Sequence, residues 1–370
     1  MCTHVYCQQR LKRRKSRPDR CNWVKRHHLP RSIVREATQP FLRDNSLLDS
    51  RPRVVDLFAG AGLFSLAFKQ VGFRVIRAVE LDRFAAATYE KNLGSHIETA
   101  DVSKVTPRGE CDVLVAGPPC QGFSTLGSRR EDDPRNALSL CVVKWAKALN
   151  PGIVVIENVE AFLSSTAWGK VERRLRALDY TVDTFVLDAV DYGCPQTRRR
   201  SFTIAHRSSS PLRKPRRVKG IGCVREAWQG LSSKPNGKNH HVAPLPSPIA
   251  LARMQCIPPG GDKRDVMRVA AHLTPPSWWG VPNQVTDAWG RMEWSKPSNT
   301  LRTCLQNASK GRYIHPTQNR VISLREAARL HSIPDEFEFV GCPLHIARQI
   351  GNSVPPALGR AVARQVFRLL

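Results

Sequence analysis

The sequence predicts an α/β protein built on a doubly wound parallel sheet, because two kinds of segment alternate along the chain. Short apolar runs rich in Val and Ile alternate with longer segments whose apolar residues recur at helical spacing. Strands and helices that alternate in this way form βαβ units with parallel strands. The first unit joins the apolar run at 54–58 to a helix ending at Gly72 through a glycine-containing turn.

The other elements follow from the same patterns. A continuous apolar run with β-branched residues predicts a buried strand, and apolar residues three or four apart predict a helix. Ser323, with Glu326 three residues later, forms a capping box and predicts a helix over 323–332, and the last predicted helix has a proline near its start. The predicted strands are 54–58, 74–80, 111–117, 152–159, 181–189 and 200–207, and the other predicted helices are 63–72, 83–93, 137–150 and 168–180.

The composition excludes several classes of protein. The chain has 370 residues, 41 % of them hydrophobic, which is enough for two domains and excludes a wholly disordered chain. No run reaches the ~18 apolar residues that span a membrane, and the N-terminus lacks the apolar segment of a secretory signal. The eleven cysteines include no CxxC pair, so we expect free thiols in an intracellular, reducing compartment. The Cys and His residues near the N-terminus match no zinc-finger spacing, and we expect no metal.

The net charge of +27 is concentrated in two blocks. Residues 1–50 carry a net +8 and residues 193–320 a net +17, whereas residues 51–192 carry 18 charges of each sign. So basic a chain expects a polyanionic partner, with nucleic acid before a membrane surface. We therefore expect chemistry in the neutral block and polyanion binding in the basic ones. The alternative is a basic proteome with arginine throughout, and the neutral block argues against it.

Changes in composition and periodicity along the chain predict four segments. The first lacks a steady period and is a charge run, typical of a disordered extension. After residue 206 the chain becomes rich in Pro, Gly and basic residues, which predicts a second, irregular, β- and loop-rich domain. The predicted segments are the basic extension 1–50, the sheet domain 51–206, the irregular domain 207–320, and a C-terminal segment 321–370 whose last helix returns to the sheet domain.

The first candidate site is the turn after the first predicted strand. Gly60 and Gly62 permit a tight turn and let a ligand approach the N-terminus of the next helix. Glu80 ends the next strand about 20 residues later, where a carboxylate suits the two hydroxyls of a ribose. The pattern is GxGxxS rather than GxGxxG, so a tight turn without a ligand is an equal alternative.

The second candidate site is the stretch GPPCQGFS, residues 117–124, at the carboxyl end of a predicted buried strand. Ligands gather at such strand ends in open α/β sheets. Pro118 and Pro119 stiffen the backbone ahead of Cys120, which places its thiol at a fixed, exposed point. The alternative is a buried structural cysteine, but the flanking residues indicate a turn rather than a core strand.

Three further motifs carry polar residues beside predicted elements. Glu157 follows the apolar run GIVVI and is either an acid over the same crevice or a satisfied strand-end carboxylate. Gln196, Arg198 and Arg200 alternate along an extended segment and would share one face, with a salt-bridged surface as the alternative. Asn352, in GNSVPP, opens the last predicted helix and either bonds a ligand or caps that helix.

In this order, the motifs DLFAGAG, PPCQGFS, ENV, QTRRR and GNSVPP resemble those of the DNA (cytosine-5) methyltransferases. The resemblance covers residues 53–206 and about 290–370. It implies a Rossmann-like class I S-adenosylmethionine-dependent methyltransferase sheet, S-adenosyl-L-methionine as cofactor, and a smaller target-recognition domain at 207–320. Leu63 departs from the family, whose members usually have glycine there.

The resemblance also implies residue roles. Cys120 would be the nucleophile and Glu157 the acid that contacts N3 of cytosine. Arg200, with Arg198 beside it, would contact O2. The implied cofactor-binding residues are Phe58, Gly60, Gly62, Glu80, Asp101, Pro118 and Asn352, and the implied DNA-binding residues are Gln121, Ser124, Arg129, Arg130, Gln196, Arg213, Lys214, Arg216 and Arg217.

The chemistry suits these residue types. A thiolate that adds to C6 of cytosine turns the ring into an enamine, which attacks a sulfonium methyl group. A strand-end Glu supplies a proton or a hydrogen bond at N3, and arginines at O2 stabilise the developing charge. Since C6 is unreachable within a stacked duplex, the base must be flipped out.

The resemblance implies double-stranded DNA as the partner and no membrane. The chain lacks room for long regulatory modules, which favours a monomeric prokaryotic modification enzyme of the cytoplasm or nucleoid. A cognate restriction endonuclease would act on the same site without forming a stable complex. Three alternatives stay open: a tRNA cytosine-5 methyltransferase, although that branch resembles PPCQPF rather than PPCQGFS; a Rossmann dehydrogenase, which leaves Cys120 and QTRRR unexplained; and a catalytically dead DNA-binding protein, against which the intact Cys–Glu–Arg set argues.

Overall fold

A seven-stranded mixed sheet lies at the centre of the part of the protein that the computed structural model describes, which is residues 50–119, 138–218, 220, 222–280 and 287–370. Pro52–Leu370 form one compact unit. The strand order across the sheet is β3-β2-β1-β4-β5-β7-β6. The strands are β1 Arg53–Leu57, β2 Arg74–Glu80, β3 Ile97–Thr99, β4 Val113–Ala116, β5 Ile153–Asn158, β6 Thr181–Asp188 and β7 Arg199–His206.

One strand departs from the predicted parallel sheet. Strands β1 to β5 pair in parallel, whereas β7 is antiparallel to both of its neighbours, β5 and β6. The connection from β6 to β7, residues 189–198, contains only a short 3₁₀ turn and no α-helix. A parallel pair needs a longer crossover, so this connection reverses the chain. The short strand β3 was not predicted, because its three residues are not buried.

Helices cover both faces of the sheet. Val54, Val113 and Val155 face one side with α1 and α10, whereas Val55 and Leu114 face the other with α3 and α4. This division follows from the alternation of side chains along each strand. The helices are α1 Leu63–Val71, α2 Arg83–Leu93, α3 Leu138–Leu149, α4 Thr166–Arg176, α5 Val224–Ala227, α6 Pro248–Gln255, α7 Lys263–Val269, α8 Leu324–Leu330, α9 Pro343–Asn352 and α10 Pro356–Phe367.

The C-terminal helices correct one prediction. Helix α9 was not predicted, and Asn352 is its last residue rather than the first of α10. Helix α10 begins after Pro355, which provides no side-chain cap, so the alternative that Asn352 caps the last helix is wrong. Helix α10 packs closely on α1, where a Cβ added at Gly359 would lie 2.6 Å from Cβ of Ala67.

The irregular segment has a small core of its own. Met254, Ile257, Val266 and Ile314 form a buried cluster separate from the clusters on either side of the sheet. The described residues between 207 and 323 form short α- and 3₁₀-helices and isolated β-bridges, but no strand of a sheet, so the β-rich prediction is wrong there. Frequent prolines explain this, since proline cannot donate to a strand ladder.

The described residues contain neither a membrane-spanning helix nor a cluster of metal-binding side chains. None of their helices is long and apolar enough to cross a membrane. Within the same ranges, no group of three or more His, Cys, Asp or Glu side chains is placed to hold a metal ion. The N-terminal Cys and His residues weighed above lie outside these ranges.

Candidate active site

The turn between β1 and α1 has an unusual backbone. Phe58, Gly60 and Gly62 all have positive φ, at 59°, 56° and 86°. Such a φ costs little for glycine but is strained for phenylalanine. A Cβ added at Gly62 would lie 2.5 Å from Cδ1 of Leu93, whereas one at Gly60 would meet nothing within 4 Å. The turn is therefore packed against α2 at Gly62 and open at Gly60.

Glu80 fixes this turn to the end of β2. One carboxylate oxygen accepts the backbone N–H of Gly60 at 2.8 Å, and the other accepts that of Asp82 at 2.8 Å. Burial raises the pKa of Glu80, although these hydrogen bonds oppose the shift. Leu81, which follows directly, is 69 % exposed and presents an apolar surface beside the carboxylate. Leu81 was not among the residues singled out from the sequence, and its signal would have been an apolar residue directly after the acidic strand end.

A second carboxylate lies buried beneath the turn. Asp56, on β1, is 2 % exposed and accepts a hydrogen bond from the Ser65 hydroxyl at 2.6 Å. Ser65 in turn accepts one from the Tyr89 hydroxyl at 3.2 Å, and Tyr89 lies 2.9 Å from Nε2 of His96. Burial raises the pKa of Asp56 to about 7, opposed by the bond from Ser65 and assisted by Glu80. The polar residue within the apolar run VVDLF was the sequence signal for this network.

Asp101 and Pro118, two further residues of the predicted cofactor-binding set, each lie two residues after the end of a strand, β3 and β4 respectively. The Asp101 carboxylate accepts the backbone N–H and the hydroxyl of Ser103 at 2.9 and 2.7 Å, and these bonds lower its pKa. Pro118 is buried, and its carbonyl accepts a hydrogen bond from the Asn158 amide at 3.2 Å. That bond joins the segment after β4 to the end of β5.

Glu157 and Arg200 form an ion pair at the carboxyl edge of the sheet. Nε of Arg200 lies 3.1 Å from Oε1 of Glu157, and both side chains are largely buried. A Cβ added at Gly117 would lie 3.6 Å from Oε2 of Glu157, so the pair adjoins the segment leading to residue 120. Burial raises the pKa of Glu157, while Arg200 and Arg198 oppose the shift. The carboxyl group therefore keeps a proton more readily than an exposed one.

Gln196, Arg198 and Arg200 share a face, as their alternation predicts, but that face points inward. Arg198 is 1 % exposed and donates to the carbonyls of Leu301, Gly351 and Ser353 at 3.0, 2.8 and 3.0 Å. Gln196 is fully buried and accepts the backbone N–H of Leu301 at 3.0 Å. The predicted contacts of Arg198 with cytosine and of Gln196 with DNA do not fit this burial.

A neutral, buried histidine, His331, contacts both of these segments. Nδ1 of His331 lies 2.9 Å from the Gln196 amide nitrogen, and Nε2 lies 3.1 Å from the Ser353 carbonyl. Because an amide N–H donates to Nδ1, the ring proton is on Nε2 and donates to Ser353. Burial, and next the charge of Arg198, holds the pKa of His331 well below its usual value. The QTRRR and GNSVPP motifs are therefore fastened to each other inside the protein.

The remaining predicted residues divide into two groups. Asn352 is exposed at the end of α9, while Gly351 beside it approaches the backbone of Thr303 too closely for any Cβ. Arg213, Lys214, Arg216 and Arg217 are exposed. Cys120, Gln121, Ser124, Arg129 and Arg130 lie outside the described residues.

The C-5 cytosine-specific DNA methylase family matches residues 52–245 and 276–368 of the chain. Over 335 residues the chain is 30 % identical to the type II methyltransferase M1.HphI of Haemophilus parahaemolyticus, a match covering 85 % of this chain and 86 % of that protein. Over 333 residues it is 32 % identical to the type II methyltransferase M.AplI of Arthrospira platensis, covering 88 % of each.

A solved structure supports the fold. The methyltransferase EhMeth of Entamoeba histolytica superposes with a TM-score of 0.62 at 15 % identity, covering 86 % of this chain and 98 % of that one. The mixed sheet with one reversed strand confirms the class I methyltransferase fold that the motifs implied. Because the family match extends from β1 to α10, and relatives about 30 % identical match over most of their length, the chain belongs to the C-5 cytosine-specific DNA methylases.

Proposed function

We propose that the protein methylates C5 of a flipped-out cytosine within a specific double-stranded DNA sequence, through a covalent bond between Cys120 and C6. The observation that carries this proposal is the buried Glu157–Arg200 pair, which adjoins the backbone segment leading to Cys120. The pair provides an acid and a fixed cation at one sheet edge, which are the groups that addition to the ring requires.

We further propose that S-adenosylmethionine is the methyl donor, held at the turn after β1. When bound there it supplies an electrophilic methyl group. The open space at Gly60 leaves room for a ligand, and the exposed Leu81 beside the Glu80 carboxylate suits an adenine ring and ribose hydroxyls. Phe58, Asp101, Pro118 and Asn352 would complete the shell.

The residues of this chain divide the work as follows. The Cys120 thiolate forms the S–C6 bond while Glu157 gives a proton, or a hydrogen bond, to N3, and the resulting enamine carries its electrons to C5. Arg200 stabilises the oxygen at C2, and its Nε is already held by Glu157. C5 would take the methyl group as the donor's S–CH₃ bond breaks and its sulfur leaves as a neutral thioether. A base would then remove the C5 proton, the S–C6 bond would break, and the N3 proton would return to Glu157.

The substrate-reading part is proposed to be the domain at 207–320. Its own buried cluster supports local packing within this region, although the region belongs to the same compact unit as the sheet, and its exposed cations suit phosphate contacts. The protein would act as a monomer, and a cognate endonuclease would share its target sequence without binding it stably. The extension 1–50 has no assigned role in this proposal.

A trapping experiment tests the mechanism. Wild-type protein, methyl donor and duplex DNA containing 5-fluorocytosine should give a stable covalent adduct, because no C5 proton can leave. Cys120→Ser should abolish both the adduct and turnover on ordinary DNA, while Cys256→Ser, at a half-buried cysteine of α6's C-cap, should retain both. Full methylation by Cys120→Ser would refute the mechanism. A chain that methylates tRNA but not duplex DNA would establish the alternative substrate.

A further inference from the structure

We infer that six exposed cations form a flanking strip, which binds the phosphate backbone of DNA beyond the target site. The inference rests on the proposed function, because its partner is the same duplex. The strip combines one loop segment with the last helix. Its members are Arg213, Lys214, Arg216 and Arg217 of the segment 212–218, and Arg364 and Arg368 at the end of α10.

The loop segment is held firmly against the sheet domain. Leu212 packs against the buried cluster that α10 shares with the sheet. The Tyr192 hydroxyl donates to the carbonyl of the buried Pro215 at 3.3 Å, and the backbone N–H of Val218 donates to the Asp191 carbonyl at 3.0 Å. These contacts fix the backbone while the charged side chains stay exposed, which lowers the entropic cost of binding.

The segment runs from one edge of the sheet to the other. It begins after His206, which pairs with Ile153 and Thr181 at the amino edge. It ends beside Asp191, which follows the carboxyl end of β6. The residue at that end, Asp188, pairs with Arg199, the neighbour of Arg200. The end of the segment at Val218 therefore lies beyond the carboxyl end of β6, at the same edge of the sheet as Glu157 and Arg200.

Helix α10 extends the strip toward the amino edge of the sheet. With its amide oriented to satisfy both neighbours, Gln365 donates to the Arg213 carbonyl at 3.3 Å and accepts from Nη1 of Arg368 at 3.2 Å. Arg364 precedes Arg368 by one helical turn and is exposed like it. Phe367, which lies between them in sequence, contacts Phe73 directly before β2, so these two arginines lie toward the amino edge of the sheet and away from Glu157 and Arg200 at the carboxyl edge.

The strip carries little compensating charge. Among the described residues, Asp191 is the acid that pairs with a member of the strip, Arg217, at 3.3 Å, and that guanidinium stays 73 % exposed. A concentration of like charge on a fixed surface is the electrostatic footprint of a polyanion site. Since phosphates carry no sequence information, the strip should add affinity for flanking DNA without changing the recognised sequence.

The test compares a short duplex limited to the target with a long duplex extended on both sides. For the wild type we expect tighter binding and a steeper salt dependence with the long duplex. Arg364→Gln/Arg368→Gln should reduce the long-over-short affinity ratio roughly tenfold, and flatten the salt dependence on the long duplex by about one unit of slope for each phosphate that is no longer bound. Arg213→Gln/Lys214→Gln should do the same.

A matched control separates the strip from net charge. Lys170→Gln/Arg173→Gln removes the same charge from exposed positions on α4, on the opposite face of the sheet, and should leave the ratio at the wild-type value. Equal losses on both duplexes, equal losses in the control, or an unchanged ratio in the strip variants would each overturn the inference. If instead the wild type methylates no duplex of either length, the proposed function fails, whereas an unchanged ratio with normal methylation refutes only the strip.

Discussion

The sheet domain and the irregular segment after it satisfy their buried backbone groups by different means. In the sheet, neighbouring strands pair their own N–H and C=O groups. In the irregular segment, arginine side chains donate hydrogen bonds to buried backbone carbonyls instead. Arg291 shows this most clearly, since it is 4 % exposed and its guanidinium donates to five oxygens. Arg291 donates to the carbonyls of Met254, Ile257, His315 and Gln318 and to the side chain of Asn319.

This difference changes the interpretation of the charge. The net +17 of residues 193–320 predicts polyanion binding, yet part of that charge is structural. Arg198 and Arg291 are buried on carbonyls, Arg312 donates to the carbonyls of Gly260, Gly261 and Arg291, and Arg320 pairs with the buried Glu326 at 2.7 Å. Charge counted along a sequence therefore overstates the charge available to a partner when buried arginines replace strand ladders.

The largest effect is expected in the sheet domain, at Glu157, which we propose as the acid. Glu157→Gln keeps the shape but loses the transferable proton, so methylation should slow by roughly 10²–10⁴. The measurement is single-turnover methylation of duplex DNA, with cofactor affinity followed separately. Glu160→Gln is the control, because Glu160 pairs with Arg199 at the same edge at 2.8 Å but is exposed. A loss below about tenfold would make Glu157 a structural carboxylate.

The next effect is expected in the irregular segment. Arg291→Met leaves several buried carbonyls without donors, at about 1–3 kcal/mol for each group that stays unsatisfied. Hydrogen exchange should accelerate at 250–320 while the sheet keeps its protection, and DNA affinity should fall while cofactor affinity does not. Arg225→Met removes the same group from an exposed position over Trp294 in the same segment, and should change neither. Equal exchange in the two variants would mean that Arg291 does not hold the segment together.

The sequence predicted the elements whose signal is local. Helix α2 has the predicted bounds 83–93, and the capping box of Ser323 and Glu326 is present in both directions. The reversal of β7 depends on the length of one connection, and it was missed because alternating elements alone favour a parallel sheet. Helix α9 was missed because its last residues form part of GNSVPP, which we interpreted as the start of the next helix.

Whether a polar side chain is buried was harder to predict than the face of the extended segment on which it lies. The alternation of Gln196, Arg198 and Arg200 predicts one shared face, but the burial of Arg198 depends on segments 103 and 153 residues away. Leu301 and Gly351 supply the acceptors that hold Arg198 inside, and no local pattern encodes their approach. Glu157 reaches Arg200 because β5 and β7 are neighbours, a pairing that also depends on the whole sheet.

The two regions should respond to pH in opposite directions, and the larger response belongs to Asp56. Its pKa is raised to about 7 by burial, so between about pH 4 and 7 the folded protein holds a proton that the unfolded chain has released. Its contribution to stability therefore falls as pH rises through that window, by up to about 4 kcal/mol. Asp56→Asn cannot titrate. The free energy of unfolding of the wild type relative to this variant should decline from pH 4 to 7.5, and parallel curves would contradict the expected titration.

The smaller response belongs to His315, in the irregular segment. This buried ring stacks on Trp228 with centroids 5.3 Å apart, and its Nδ1 accepts the backbone N–H groups of Thr317 and Gln318. Burial, and next Arg320, lowers its pKa to about 4. Between about pH 6.5 and 4 the unfolded chain therefore takes up a proton that the folded protein does not, and stability falls as pH falls, by up to about 3 kcal/mol.

His315→Gln keeps an acceptor for the two backbone groups but cannot become charged in this range. Relative to it, the wild type should lose free energy of unfolding as pH drops from 7 to 4.5, opposite in sign to the Asp56 comparison. Denaturant unfolding across this range gives both slopes under the same conditions. The difference in free energy of unfolding between the wild type and His315→Gln could instead be independent of pH, or change with pH in the same direction as the Asp56 comparison. Either result would mean that burial does not hold the His315 ring neutral, and that the two regions do not respond to pH in opposite directions.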